Sequence, residues 1–502
     1  MNPLCRLAHA ALVAVLAVLI PASGSHAATY TWTGGDGNWF SSGQTLSGNW
    51  TPSGGTLTPA DSLVFDLASL AYQINQNGNA QVTNLTVVGD PIVEFRDYPL
   101  TISGSLVTQG TVEFYNPVGF VNGAVVDTNS LSLYRLVGSG NFTTLGNLGV
   151  YDQASYSGTM TISQGTVEVS DTGFGGNIVN NGGIFSLGRN TYFTGSYVQS
   201  SGTGMFYDGV GSVNQTGGLI SFYGDELGEN VVGSLAGSGG TIDIHPDVTL
   251  TIGDASSTTY AGSIVGSGSI SKVGSGSLTL GGTSTYTGPT TVSAGRLLVN
   301  GALGTSPVTV LAAAELGGSG ASGGPVSVAA GGTLSPGSSI ESLATGTATF
   351  AAGATFAYEV DSTNPLSLGG AADLLVVSGN LNLDTGNATI LTVADLAGSP
   401  SPFVNHTTIF ALINYSGTWN GGLFTYGGVP LADGGTFTVG SQDWLVDYNR
   451  TSAAGLDNFT GDYLPSSRFV TITAVPEPST YAMALAGIAC GGFSMWRRRK
   501  RA

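Results

Sequence analysis

Few side chains in this sequence have the types and spacing that reactive chemistry asks for, and the best set lies in TIDIHPDVTL, Thr241–Leu250. Asp243, His245 and Asp247 recur at every second position. Strand alternation would place all three on one face, with Ile242, Ile244 and Val248 on the other. Two carboxylates and an imidazole supply donors for a divalent ion, or an acid/base pair for proton transfer. Three polar residues on a wet sheet face are also ordinary, and Pro246 discourages further strand pairing there. The ordinary reading carries more weight. No catalytic residue, no cofactor and no metal site is therefore expected, with Asp243, His245 and Asp247 as the one candidate set.

Other chemistry-bearing residues stand apart. His406, in Asn405-His406-Thr407, has no acidic neighbour in sequence and reads as a surface residue. Asp443 and Asp447 flank Trp444 on one strand face without a further convergent group. Gly34-Gly35-Asp36-Gly37-Asn38 resembles one turn of a calcium-binding repeat, but such sites need stacked copies, and tight-turn chemistry explains it better. No HExxH, P-loop or paired-cysteine zinc pattern occurs. A polysaccharide lyase or hydrolase on a parallel β-helix is the alternative to a non-enzymatic protein. It would need carboxylates clustered with a basic residue or calcium.

The elements that position these residues follow from composition. The chain has 502 residues, of which 79 are glycine, 9 % are charged and 41 % hydrophobic. Disordered chains lack that much apolar content, so stacked short strands with glycine corners are the better fit. Formal net charge is −18. Without Arg6, Glu477 and the terminal Arg497, Arg498, Arg499, Lys500 and Arg501, the body keeps seven basic against thirty acidic residues, about −23. No basic stripe remains to neutralise phosphates, which excludes nucleic acid as a partner. Cys5 and Cys490 both lie in terminal apolar segments, so the body has no disulfide.

The stretch Leu278–Gly304 shows the repeat most clearly. Thr290 and Val292 alternate with Thr291 and Ser293, Gly295 turns the chain, and Leu297 and Val299 alternate with Arg296 and Leu298. SYSGTMTISQGTVEV, 155–169, aligns without a gap on TYTGPTTVSAGRLLV, 285–299, matching Tyr156 to Tyr286, Gly158 to Gly288 and Gly165 to Gly295. One face stays apolar in both copies, as a coil of a stacked β-structure requires. Gly195 and Gly202 repeat the glycine spacing, but Tyr197 and Val198 appear out of phase, so that copy reads as degenerate. These segments, with the lead-in 266–282 that includes Lys272, resemble the autotransporter-associated β-strand repeat. The resemblance implies an all-β, parallel β-helix (β-solenoid) of passenger type. No ten-residue alternating segments of an outer-membrane translocator barrel follow it.

Five segments are expected. Residues 1–27 read as a signal peptide, with Arg6, an apolar run over Ala10–Ile20 and a small-x-small site, Ser25-His26-Ala27, cut between Ala27 and Ala28. Residues 28–80 form a tryptophan-rich cap around Trp32, Trp39 and Trp50. Exposed indoles for carbohydrate are the rival, but large aromatics are more often buried. Residues 81–344 are solenoid, with the best copy at 266–304, and 345–474 hold its last coils and cap. In 475–502, Val475-Pro476-Glu477-Pro478 precedes an apolar segment, 481–496, and the arginine cluster. The apolar segments at the two ends are expected as short helices.

Pro476, Glu477 and Pro478 with that tail resemble the PEP-CTERM sorting signal. The resemblance implies an exosortase-type processing enzyme, a Gram-negative bacterium and association with exopolysaccharide or another surface glycan. The apolar segment is short for a comfortable span, so membrane attachment before processing is expected to be transient. The expected destination lies beyond the inner membrane, at the cell surface or in the extracellular matrix. The expected role is structural or adhesive; edge-to-edge self-assembly into a layer is a weaker option.

Overall fold

Apolar and polar residues that alternate over short runs, with glycine or asparagine at many of the breaks, give short strands whose inward faces are covered by the neighbouring coils. Most of them pair in parallel with their counterparts one coil later. The computed structural model describes residues 27–475 apart from internal stretches, the longer being 33–36, 53–56, 67–70, 225–228, 362–371, 397–407 and 457–462. The leader up to 26, Trp39, His406, Gly34–Asp36 and the segment from 476 onward, with both expected terminal helices, lie outside the described residues. All regular structure among the described residues is β-strand. The chain divides into two units, Met1–Leu148 and Gly149–Ala502.

The first unit is a β-solenoid. Thr29–Trp32, Ser62–Asp66, Asn84–Val88, Ser105–Phe120 and Ala124–Gly138 stack in parallel. Leu63, Leu85, Leu106 and Val126 share one register position, and all are fully buried. Trp32 and Trp50 point inward at its first coil, with ring centroids 5.1 Å apart, and Trp50 lies 5.0 Å from Phe65. Both indoles are at most 1 % exposed, so they fill the core and face no ligand. Trp50–Thr51 pairs antiparallel with the first strand and interrupts the otherwise parallel edge.

The second unit is also a β-solenoid, with bonds between successive coils at sequence separations of 19 and 20 residues. Leu278, Leu297, Leu316, Leu334 and Phe356 form one inward column. In the best repeat Thr290, Val292, Leu297 and Val299 are buried, as alternation requires. Gly165 and Gly295 both take left-handed φ, 77° and 65°, which explains why glycine stands at this corner in both copies. Tyr197 corrects the phase expected there. It is fully buried above Ile178, and Val198 faces outward. An inward tyrosine is tolerated because its hydroxyl meets Asn180 of the previous coil and Gln199 of its own strand.

Those partners form a buried polar spine. Asn180, Gln199 and Gln215 occupy one register position in successive coils and have no exposed surface. Asn180 Nδ2 donates to Thr203 O, Gln199 Nε2 to Leu219 O and Gln215 Nε2 to Thr241 O, each at 3.1 Å. Tyr197 donates to Gln199 Oε1 at 2.9 Å and Tyr260 to Gln215 Oε1 at 2.7 Å. Leu at position 199 would leave Tyr197 and two carbonyls without these partners. Gln199→Leu is expected to cost about 3 kcal/mol, read as a lower urea midpoint. A shift no larger than that of outward Ser200→Ala would contradict it.

The second unit closes differently from its body. Ser342–Thr345, Leu374–Val377 and Ile409–Tyr415 continue in parallel. Arg468–Val475 then adds antiparallel to Ile409–Tyr415, followed by Gln442–Arg450 and Thr436–Val439. The neighbouring stack ends on the two-residue antiparallel strand Val429–Pro430, where proline removes a donor from the edge. Alternation in this segment does not report strand direction, so it leaves the antiparallel form of the closure unread.

Candidate functional site

The strand holding the candidate set ends one residue too early for it. Thr241–Ile244 is regular, but His245 O accepts the N–H of Val248 at 3.2 Å and Asp247 has φ 65°. Pro246 and Asp247 are thus the central residues of a tight turn, with proline at its first central position and a left-handed residue at its second. Asp247 is exposed in that turn and does not continue the outward row of Asp243 and His245. His245 Nε2 lies 3.8 Å from Asp243 Oδ2. Among the described residues no group of three His, Cys, Asp or Glu side chains could hold a metal ion.

The imidazole has other company that the sequence did not reveal. Its ring centroid is 4.1 Å from Tyr223, which lies 5.0 Å from Tyr207 at an interplanar angle of 18°. The Arg189 guanidinium lies over Tyr207. One such side chain from each of four coils makes an outward ladder whose ring faces are largely used against each other. The first unit has its own version, with Arg96 4.5 Å over Tyr115 and Tyr115 stacked 4.4 Å from Tyr134. Such stacks tie coil to coil. His245→Ala is therefore expected to cost about 1 kcal/mol in thermal or urea unfolding, the worth of an aromatic contact. No change at all would argue that the ladder is ornamental.

Asp443 and Asp447 face outward from Gln442–Arg450 and are engaged locally. Asp443 accepts Thr438 Oγ1 at 2.6 Å, and Asp447 accepts the Asn449 N–H at 2.9 Å. Trp444 between them is 2 % exposed.

Lys272 and Asp373 are buried where polarity alone would have put them outside. Lys272 shares an inward column with Ile252 and Val292, and its Nζ donates to Val273 O, Gly274 O and Ala294 O at 2.6, 3.2 and 3.2 Å. Burial lowers its pKa, against a smaller opposing effect of Asp254. Asp373 has no exposed surface and accepts the N–H groups of Glu341 and Glu359 at 3.1 and 3.0 Å. Burial pushes its carboxyl up to about 8 despite those two donors, with Glu359 and Glu341 adding to the rise. Both groups pin corners of the coil.

The outward face of the second unit offers repetition. Thr251, Ser271, Thr291, Thr309, Ser327, Thr349 and Asn382 stand in register, one per coil. At the end of the unit, Val475 is the last residue of its strand. Its carbonyl accepts Gln442 Nε2 at 2.9 Å. Pro476, Glu477 and Pro478 follow immediately in the sequence, outside the described residues.

No curated protein matches the chain. Family models match segments of it. Sorting signal and passenger-like repeats together mark an exported surface protein with an exosortase-type processing partner. Residues 152–169 and 270–299 match the passenger-associated-transport repeat, and residues 474–500 match the PEP-CTERM protein-sorting motif, so the chain is a β-solenoid of passenger-like repeats that carries a PEP-CTERM sorting signal.

Proposed function

We propose that the chain is a non-enzymatic scaffold or adhesin that works at the cell surface or in the extracellular matrix, bound to exopolysaccharide. The observation that carries this reading is the in-register row from Thr251 to Asn382, which repeats a neutral hydrogen-bonding group once per coil in a strongly acidic body. Each contact to a hydrated glycan is weak, but a row of them on one rigid face gains by valency. The antiparallel closure and Pro430 speak against growth by edge addition at that end. Membrane attachment through the segment after Pro478 is a stage before processing in a Gram-negative host.

Affinity electrophoresis of the exported protein through gels holding neutral or acidic polysaccharides tests the reading. Retardation by a polysaccharide, without new reducing ends or unsaturated sugars, is the expected result. Product formation lost on replacing Asp243 and His245 would replace the scaffold with a lyase or hydrolase. Free migration in every gel would remove the glycan partner.

A further inference from the structure

The buried carboxylate of Asp61 lies where the expected leader cleavage would release a new amine. Asp61 is 2 % exposed. Its Oδ2 is occupied by Thr58, whose N–H and Oγ1 donate at 2.7 and 3.0 Å. Its Oδ1 accepts the backbone N–H of Ala28 at 2.8 Å. The main chain fixes the same junction. Ser62 N–H donates to Ala28 O at 2.9 Å, and Thr83 N–H to Asp61 O at 2.7 Å. The first strand starts one residue later, at Thr29, paired with Ser62. Ala27 is exposed and Ala28 half-buried, so the bond between them sits at the surface with its nitrogen facing the acid.

We propose that Asp61 is the receptor for the mature N-terminus: leader removal turns the Ala28 amide into an α-ammonium that ion-pairs with this carboxylate and locks the first coil. In that hydrolysis by a leader peptidase the C–N bond breaks. The oxygen of water stays on Ala27 as carboxylate, and the Ala28 nitrogen takes up protons to become the ammonium. An α-amino group ordinarily titrates near about 8, so it is charged at neutral pH. A charge-assisted bond is roughly twice as strong as the neutral amide contact it replaces. Tyr30 is the other titratable group facing Asp61; it stays neutral in this range, raised by burial and by Asp61 itself. The precursor would thus hold its first coil loosely, and the processed chain tightly.

Intact mass of the exported protein comes first, with Ala28 expected as the first residue. A mature end further along the chain would overturn the proposal. The full chain starting at Ala28 is then compared with the same chain retaining Ala27, by urea unfolding of the first unit at pH 6. The free Ala28 amine is expected to raise the folding equilibrium constant about tenfold, and the advantage should vanish by pH 10, where the amine is neutral. Asp61→Asn should abolish it too. Equal unfolding of the two chains at pH 6, or an advantage that persists at pH 10, overturns the proposal, and neither reading needs the Asn variant to fold.

Discussion

Gly282→Ala is expected to destabilise the second unit by about 4 kcal/mol, while Gly281→Ala beside it costs less than about 1 kcal/mol. A Cβ on Gly282 would sit 2.0 Å from Gly262 O and 2.7 Å from its carbonyl carbon, backbone atoms of the previous coil that cannot swing aside. A Cβ on Gly281 meets nothing closer than 3.7 Å, an ordinary contact. The same collision recurs one coil on, where a Cβ on Gly301 would lie 2.0 Å from Gly282 O. Moving one corner therefore strains the next, and the cost is not relieved locally. Paired urea titrations decide the matter. If the two variants lose similar stability, the close approach of coil backbones is not what demands glycine here.

The second large effect is a pH dependence. The Asp373 carboxyl stands at about 8 against its ordinary 3.8, chiefly through burial. The unfolded chain releases this proton from about pH 4, whereas the folded chain keeps it until about pH 8. Between those values the folded state binds more protons, so stability from this group is full below pH 4 and is lost as pH rises towards 8. The range corresponds to a change on the order of 5 kcal/mol. Wild type minus Asp373→Asn, followed by urea unfolding from pH 4 to 8, isolates this group from the other carboxylates. The difference should shrink steadily as pH rises. A constant difference would mean that the carboxyl is already ionised at pH 4, held by the N–H groups of Glu341 and Glu359.

What the sequence made legible was the local rule. Alternation around Gly165 and Gly295 gave the buried faces of both repeats, and the tyrosines at 156 and 286 are inward as the alignment suggests. Legibility stopped where one coil must be counted against the next. Coil length varies, so Tyr207, Tyr223 and His245 fall on one ridge without any fixed spacing in sequence. Polarity alone does not report the interior: Asn180, Gln199, Gln215, Lys272 and Asp373 are polar, yet each is buried and meets backbone groups that strands leave at a corner. The candidate Asp243, His245 and Asp247 dissolved for a local reason: proline at 246 ends the strand, and the turn carries Asp247 out of line.

The antiparallel closure has a mechanical consequence. The chain passes towards the sorting tail through Val475, from a strand bonded on both sides along Arg468–Val475. Antiparallel bonds run across the strand, so tension drawn through residue 476 loads both ladders in shear, many bonds together, instead of unzipping them singly. While the tail is tethered, drag on the body should meet its stiffest element first. Pulling in optical tweezers from the tail is expected to need higher force than pulling from an attachment at exposed Val429, where the edge strand can peel.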